Sequence, residues 1–234
     1  MISRRFFLTA TGAVLVAPRI AFSAEQVPAL LDHIVLGCND LDRGIAFVEA
    51  RVGMRAAFGG VHPGRGTQNA LLSLGERRYL EIIAPDPKQT SLKTHFGDLK
   101  SISEPRLVGW AAHPPDAEAL AKHLRDAGIG FEGPADGSRQ RPDGKLLRWK
   151  ALDLADNHHG LLPFFIEWSA DSSHPSADAP KGLRLTHFSI LTPQPDELAK
   201  TVRLLEVDVA VERGATSQLR ATITGPKGKL VVTS

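Results

Sequence analysis

Apolar and polar positions follow one succession three times along the chain. Leu31-Asp32-His33-Ile34-Val35-Leu36 is a short apolar run that reads as a strand. Leu41, Ile45, Val48 and Val52 then recur at helical spacing, with Asp40 placed to cap the helix and Gly53 to end it. A second strand is expected over about Met54–Phe58, then the glycine-rich loop Gly59–Gly66. Strands over Asn69–Leu74 and Arg78–Ala84 are joined by the Gly75-Glu76 turn. The predicted unit, residues 31–84, is βαβββ.

The same succession returns twice. Leu107–Ala112 reads as a strand. Asp116 caps a helix with Ala117, Leu120, Ala121, Leu124 and Ala127 on one face, ended by Gly128. Strands are expected over Gly130–Glu132, Leu146–Leu154 and Leu162–Trp168. The third unit has a strand over Leu185–Leu191, a helix after Asp196 carrying Leu198, Val202 and Leu205, and strands over Val209–Arg213, Leu219–Thr224 and Lys229–Thr233. From the middle of each first strand the capping Asp lies 7, 7 and 9 residues on (His33 to Asp40, Gly109 to Asp116, His187 to Asp196). The fold class is therefore α+β. Units 31–84 and 107–168 form one domain of 31–168, a linker runs over 169–182, and a third unit covers 183–234. A unit of 50–60 residues buries little core alone, so the curled sheets are expected to pair around a shared interior.

The first 23 residues break the pattern. Ser3-Arg4-Arg5-Phe6-Phe7-Leu8 matches a twin-arginine export signal, the apolar run Phe6–Ala17 is too short to span a bilayer, and Ala21 and Ser23 suit cleavage before Ala24. The chain as a whole has 28 basic and 26 acidic residues, formally +2. Removing Arg4, Arg5 and Arg19 leaves 25 and 26, formally −1, which gives no reason to expect a nucleic-acid partner. Periplasmic or secreted localisation and passage through the twin-arginine export machinery follow as expectations. At 42% hydrophobic and 23% charged residues the chain is of globular composition, and its one cysteine, Cys38, excludes an internal disulfide and reads as structural.

A repeated βαβββ unit with His in the first strand and Glu in the fourth resembles the vicinal oxygen chelate superfamily. The words that carry the resemblance are Leu31-Asp-His33-Ile-Val-Leu36 and Tyr79-Leu-Glu81-Ile-Ile-Ala-Pro85. Gly64-Arg-Gly66-Thr67-Gln-Asn69, Arg139-Gln-Arg-Pro-Asp-Gly144, Leu147-Arg148-Trp149, Leu162–Trp168 and His174-Pro175 are similar to its glyoxalase-like branch. The resemblance spans roughly residues 30–234. It implies a cup between paired units, a divalent metal (Zn, Fe, Mn or Ni), and a small-molecule substrate bound through vicinal oxygens.

On that resemblance the metal candidates are His33, Glu81, Glu167 and His187, with Glu81 and Glu167 also candidate catalytic acid–bases. Gly109 stands at the His33 position of the second unit, and Val231 at the Glu81 position of the third. Two ligand sets stay open. Units one and two would bring together His33, Glu81 and Glu167, with water or a loop group such as His174, His158 or His159 filling the gap left by Gly109. Units one and three would bring together His33, Glu81 and His187, a set suited to non-haem Fe(II). A buried histidine with its hydrogen bonds satisfied is the competing reading of His33. Thr67 and Asn69 on a cup rim, with Arg139 and Arg148 as anion-binding groups, are candidate substrate contacts. The functional expectations are a metal-dependent lyase or isomerase, a metal-free cup that sequesters a small molecule, or a dioxygenase-like enzyme. The odd third unit makes a homodimer a further expectation.

Overall fold

Local signals in the chain start and stop the first two helices where the pattern places them. Asp40 accepts from the Arg43 amide at 2.9 Å, and Gly53, at φ 78°, closes the same helix by donating to the Glu49 carbonyl. Asp116 accepts from the Glu118 and Ala119 amides at 2.9 and 3.0 Å. The helix of the third unit departs from expectation. Its N-cap is Gln194, with no side-chain bond, and Pro195 opens it, so Asp196 lies inside the first turn instead of capping it.

The computed structural model describes residues 26–89, 94, 96–141 and 143–234. The export signal read over residues 1–23 lies outside them. In order come β1 (Leu31–Gly37), α1 (Leu41–Val52), β2 (Ala57–His62), β3 (Thr67–Gly75), β4 (Arg78–Pro85), β5 (Arg106–Ala112), α2 (Ala117–Asp126), β6 (Phe131–Gln140), β7 (Leu146–Leu154) and β8 (Phe164–Trp168). They are followed by α3 (Pro175–Asp178), β9 (Arg184–Thr192), α4 (Pro195–Leu204), β10 (Ala210–Arg213), β11 (Gln218–Gly225) and β12 (Gly228–Thr233). Among the described residues no helix is long and apolar enough to cross a membrane.

The protein is α+β, with strands outnumbering helices. The first two units share one eight-stranded sheet, ordered β2-β3-β4-β1-β5-β8-β7-β6. Within each of them the first strand lies parallel to the fourth, β1 on β4 and β5 on β8, and β1 and β5 join the halves antiparallel. The sheet curls until its two edges, β2 and β6, meet, and Arg139 of β6 donates to the Gly59 carbonyl of β2. One face of the curl lines a cup. The other packs on α1, α2 and the remaining strands.

The third stretch repeats the element order but not the strand order. Its sheet runs β10-β9-β11-β12, so the first strand lies between the second and third and does not touch the fourth. His187 faces Thr222 of β11, and Val231 sits on the edge strand β12, 48% exposed. His187 and Val231 therefore do not correspond to His33 and Glu81. Periodicity specifies strands and helices but not which strand hydrogen-bonds to which. Nor is the third sheet an unpartnered surface awaiting a second copy. Phe188, Ile190, Leu219, Ala221 and Ile223 are buried in the same core as Trp110 and Leu36, so the reason for expecting a homodimer through this unit does not hold. The stretch read as a linker contains α3, which buries Pro175 and Ser176.

Candidate functional site

Strand alternation divides β4 cleanly. Leu80 and Ile82 join the main core, while Tyr79, Glu81 and Ile83 face the cup. On β1 the alternation is interrupted. Leu31 pairs with Ala112 and His33 with Ala111, leaving Asp32 as an extra residue, a β-bulge. The bulge puts Leu31 in the core, on the face opposite His33 although the two are two residues apart. It also lets neighbouring side chains meet: Asp32 Oδ1 and His33 Nδ1 are 2.7 Å apart. Asp32 Oδ2 is held by Trp168 Nε1 and His174 Nε2, both at 3.1 Å. Burial would raise the Asp32 pKa, but the bonds from His174 and His33 outweigh it and bring the carboxyl to about 2.

Three groups converge at the floor of the cup. Glu81 Oε2 lies 3.6 Å from His33 Nε2, and Glu81 Oε1 lies 3.8 Å from His62 Nε2. Asn69 Nδ2 donates to Oε1 at 2.6 Å, and His62 Nδ1 is bonded to Thr67 Oγ1 at 2.8 Å. Glu81 is 7% exposed. Burial pushes its carboxyl up, yet His33, His62, Asn69 and Arg139 together hold it below the usual range. Burial lowers the pKa of His62, against the pull of Glu81. An ionised Asp32 only accepts, so the His33 proton sits on Nδ1 and Nε2 turns towards Glu81. A neutral His33 would then point a lone pair at a carboxylate oxygen. That contact is favourable only with a positive charge in it, either a second imidazole proton or a metal ion.

The donor chemistry fits a divalent ion: two imidazole nitrogens whose partner nitrogens are tied down, and one buried carboxylate. As they stand, no three His, Cys, Asp or Glu side chains among the described residues form a coordination group. Ligands about 2.1 Å from one ion lie about 3.0 Å apart at right angles and about 3.4 Å apart in a tetrahedron, so the 3.6 and 3.8 Å gaps would have to contract somewhat.

Of the residues singled out in the sequence, His33, Glu81, Thr67, Asn69 and Arg139 meet in this cup. Glu167 does not. Phe164, Ile166 and Trp168 of β8 face the cup, so Glu167 points the other way, and its Oε2 accepts from the Ala117 amide at 2.7 Å, at the start of α2. A local twofold through the Ile34–Trp110 pair matches His33 with Gly109 and Val35 with Ala111. Glu81 lies opposite Val35 and Phe164 opposite Ala111, so the counterpart of Glu81 is Phe164. Glu167→Ala is accordingly expected to cost about 1 kcal/mol through the lost cap and to leave ligand and metal binding unchanged; thermal melting and metal analysis of the variant check both.

His187 is also excluded, being bonded to Ser189 and near Glu212 on the other sheet. Arg148 is 54% exposed and pairs with Asp171 outside the cup. His174 turns its Nε2 to Asp32, and His158 and His159 occupy a left-handed turn away from the cup. Cys38 is buried, its pKa pushed up to about 12 by that burial, and is structural as read. His62, Asp32 and Trp168 were missed as site residues. The signal for His62 was the Pro63-Gly64 turn, which makes the expected loop a hairpin and sets His62 opposite Thr67.

The family model of the glyoxalase-like domain matches residues 31–205. A hypothetical protein from Staphylococcus aureus shares the fold, with 17% identity over 87% of this chain and 84% of that one, at a TM-score of 0.62. A variant methylmalonyl-CoA epimerase of Streptomyces coelicolor in complex with 2-nitronate-propionyl-CoA is 20% identical over 63% of this chain and 99% of its own, at 0.43. The Mycobacterium tuberculosis epimerase is 17% identical over 63% and 92%, at 0.40. Among curated protein sequences none matches. With a paired βαβββ sheet, a cup between its halves and a family match over most of its length, the chain belongs to the glyoxalase-like domain family.

Proposed function

We propose that this protein is an exported enzyme that acts on a small oxygenated substrate in the cup, with a divalent ion held by His33, His62 and Glu81. The observation that carries this reading is the pair of imidazoles, each tied at Nδ1, whose Nε2 atoms face one buried carboxylate. A bound ion would supply Lewis-acid polarisation of a substrate oxygen. Asp32 orients His33, Thr67 orients His62, and Asn69 holds Glu81 Oε1. Glu81 is ionised at neutral pH, and with its carboxylate off the ion, Oε2, the oxygen that Asn69 does not hold, would be placed to take a proton from a substrate carbon or hydroxyl. Two imidazoles and a carboxylate suit Zn, Fe(II), Mn or Ni.

Metal analysis of the mature protein is expected to find close to one ion per chain. His62→Ala is expected to weaken metal affinity by roughly 100-fold or more. A metal content far below one per chain, unchanged in His33→Ala, would overturn the reading.

A second reading, a metal-free cup that sequesters a small molecule, is favoured by one observation: the second unit places Gly109 and Phe164 where the first has His33 and Glu81. Ligand-induced thermal shifts undiminished by chelator would support it over the first.

Export is tested separately. Arg4→Lys with Arg5→Lys is expected to leave the protein in the cytoplasmic fraction, while the parent appears in the periplasm cleaved before Ala24. Cytoplasmic retention of the parent would refute it.

A further inference from the structure

Arg139 is 4% exposed and lines the cup, yet among the described residues no Asp or Glu stands within ion-pair distance of it. Its hydrogen bond within the protein runs from Nη1 to the Gly59 carbonyl. A guanidinium carries five N–H donors, so others remain unspent, and the group borders both the cup and a smaller pocket beside it. The surroundings are built around it. A Cβ on Gly60 would lie 2.8 Å from Nη1, and one on Gly59 would lie 2.4 Å from Asn69 Oδ1, so both glycines leave room that a side chain would fill. Burial lowers the Arg139 pKa, partly offset by Glu81. Burying a cation without a carboxylate partner is costly, and the geometry leaves a place for an anion to complete it. Arg65 adds a second positive charge at the mouth. The acids that line the cup are Asp153 and Glu81, and Glu81 already faces His33 and His62.

The remaining wall is aromatic and held in place. Trp168 is anchored through Nε1 to Asp32, Trp149 lies 5.4 Å from it between ring centroids, and Phe164 meets the His33 ring edge-on at 5.3 Å. Rigid rings favour a flat apolar body over a flexible polar one. The cavity is about 100 Å³ and opens to solvent at its mouth.

We propose that the cup takes a planar monoanion, its carboxylate on Arg139 and its flat body against Trp149, Trp168 and Phe164. This names the substrate class of the site proposed above and rests on that site being the functional one.

Benzoate, benzamide and acetate test it, followed by calorimetry and tryptophan fluorescence on the mature protein with and without EDTA. Benzoate is expected to bind at least tenfold more tightly than either of the others, in both conditions. Arg139→Gln is expected to abolish the preference for benzoate over benzamide, and Arg139→Lys to keep part of it. Benzamide binding as tightly as benzoate, or the preference surviving Arg139→Gln, overturns the role of Arg139. Acetate matching benzoate overturns the planar body. Should Arg139→Gln fail to fold, the three probes on the parent decide. Metal content measured on the same samples separates the two proposals. A benzoate preference in metal-free protein sustains this inference while the metal reading falls, and one ion per chain without that preference does the reverse.

Discussion

Trp110→Ala is expected to lower stability by about 4 kcal/mol, with a proportionate fall in the denaturant midpoint. Trp110 is fully buried on β5 and points away from the cup. Its ring meets Phe188 of the third unit edge-on at 5.2 Å, and its Nε1 donates to the Leu161 carbonyl at 2.8 Å. Removing it opens a cavity between the two sheets and strands a buried carbonyl, and the two losses add. Against a total stability of about 5–15 kcal/mol, such a loss populates unfolded protein at moderate temperature. Trp110→Phe keeps most of the volume and is expected to cost about half as much. If Trp110→Ala lost under 1 kcal/mol, the two sheets would not share one cooperative core.

Asp32→Asn is expected to be the most damaging single change near the site. It replaces a buried, ionised acceptor shared by His33, His174 and Trp168 with a neutral amide. The folded carboxyl sits at about 2 against an ordinary 3.8, which corresponds to about 2 kcal/mol of stabilisation. Because the folded value is the lower one, that contribution is complete well above pH 4. It is lost as pH falls from about 4 through 2, where the folded protein too takes up the proton. Denaturant melts of parent and variant should therefore differ by about 2 kcal/mol from pH 7 down to about 5, narrow below 4 and converge near 2. A gap that stays constant down to pH 3 would show that the carboxylate charge is not responsible. The same change releases the tautomer of His33, and metal affinity is expected to fall by roughly 10–100-fold. Loss of stability with metal affinity intact would separate the structural role of Asp32 from its orienting one.

Much of this protein is legible before any coordinates. Local rules place α1 between Asp40 and Gly53, start α2 at Asp116, and set Glu81 on a strand whose alternate residues face opposite ways, and each of these holds in the structure. They hold because caps and strand periodicity are decided within a few residues. Glu167 failed for want of register. It belongs to a strand of the expected kind, but the pairing of Ala111 with Phe164 turns Phe164, Ile166 and Trp168 inward and Glu167 out to the Ala117 amide. A shift of one residue exchanges the two faces of a strand, and nothing local sets that shift.

Asp32 was invisible as a site residue for a related reason, since only the bulge against Ala112 and Ala111 lets it lie beside His33. His187 failed at a higher level: the third stretch has the same elements, but β11 separates its first strand from its last. By itself the sequence determined the elements, the pairing of the first two units as a family trait, and five of the residues that line the candidate cup: His33, Glu81, Thr67, Asn69 and Arg139. The tertiary structure decided which faces point into the cup, which histidine joins the first, and which carboxylate stands behind it. Those outcomes depend on hydrogen-bond register between distant strands, which the free energy of the whole fold selects and no short stretch of residues encodes.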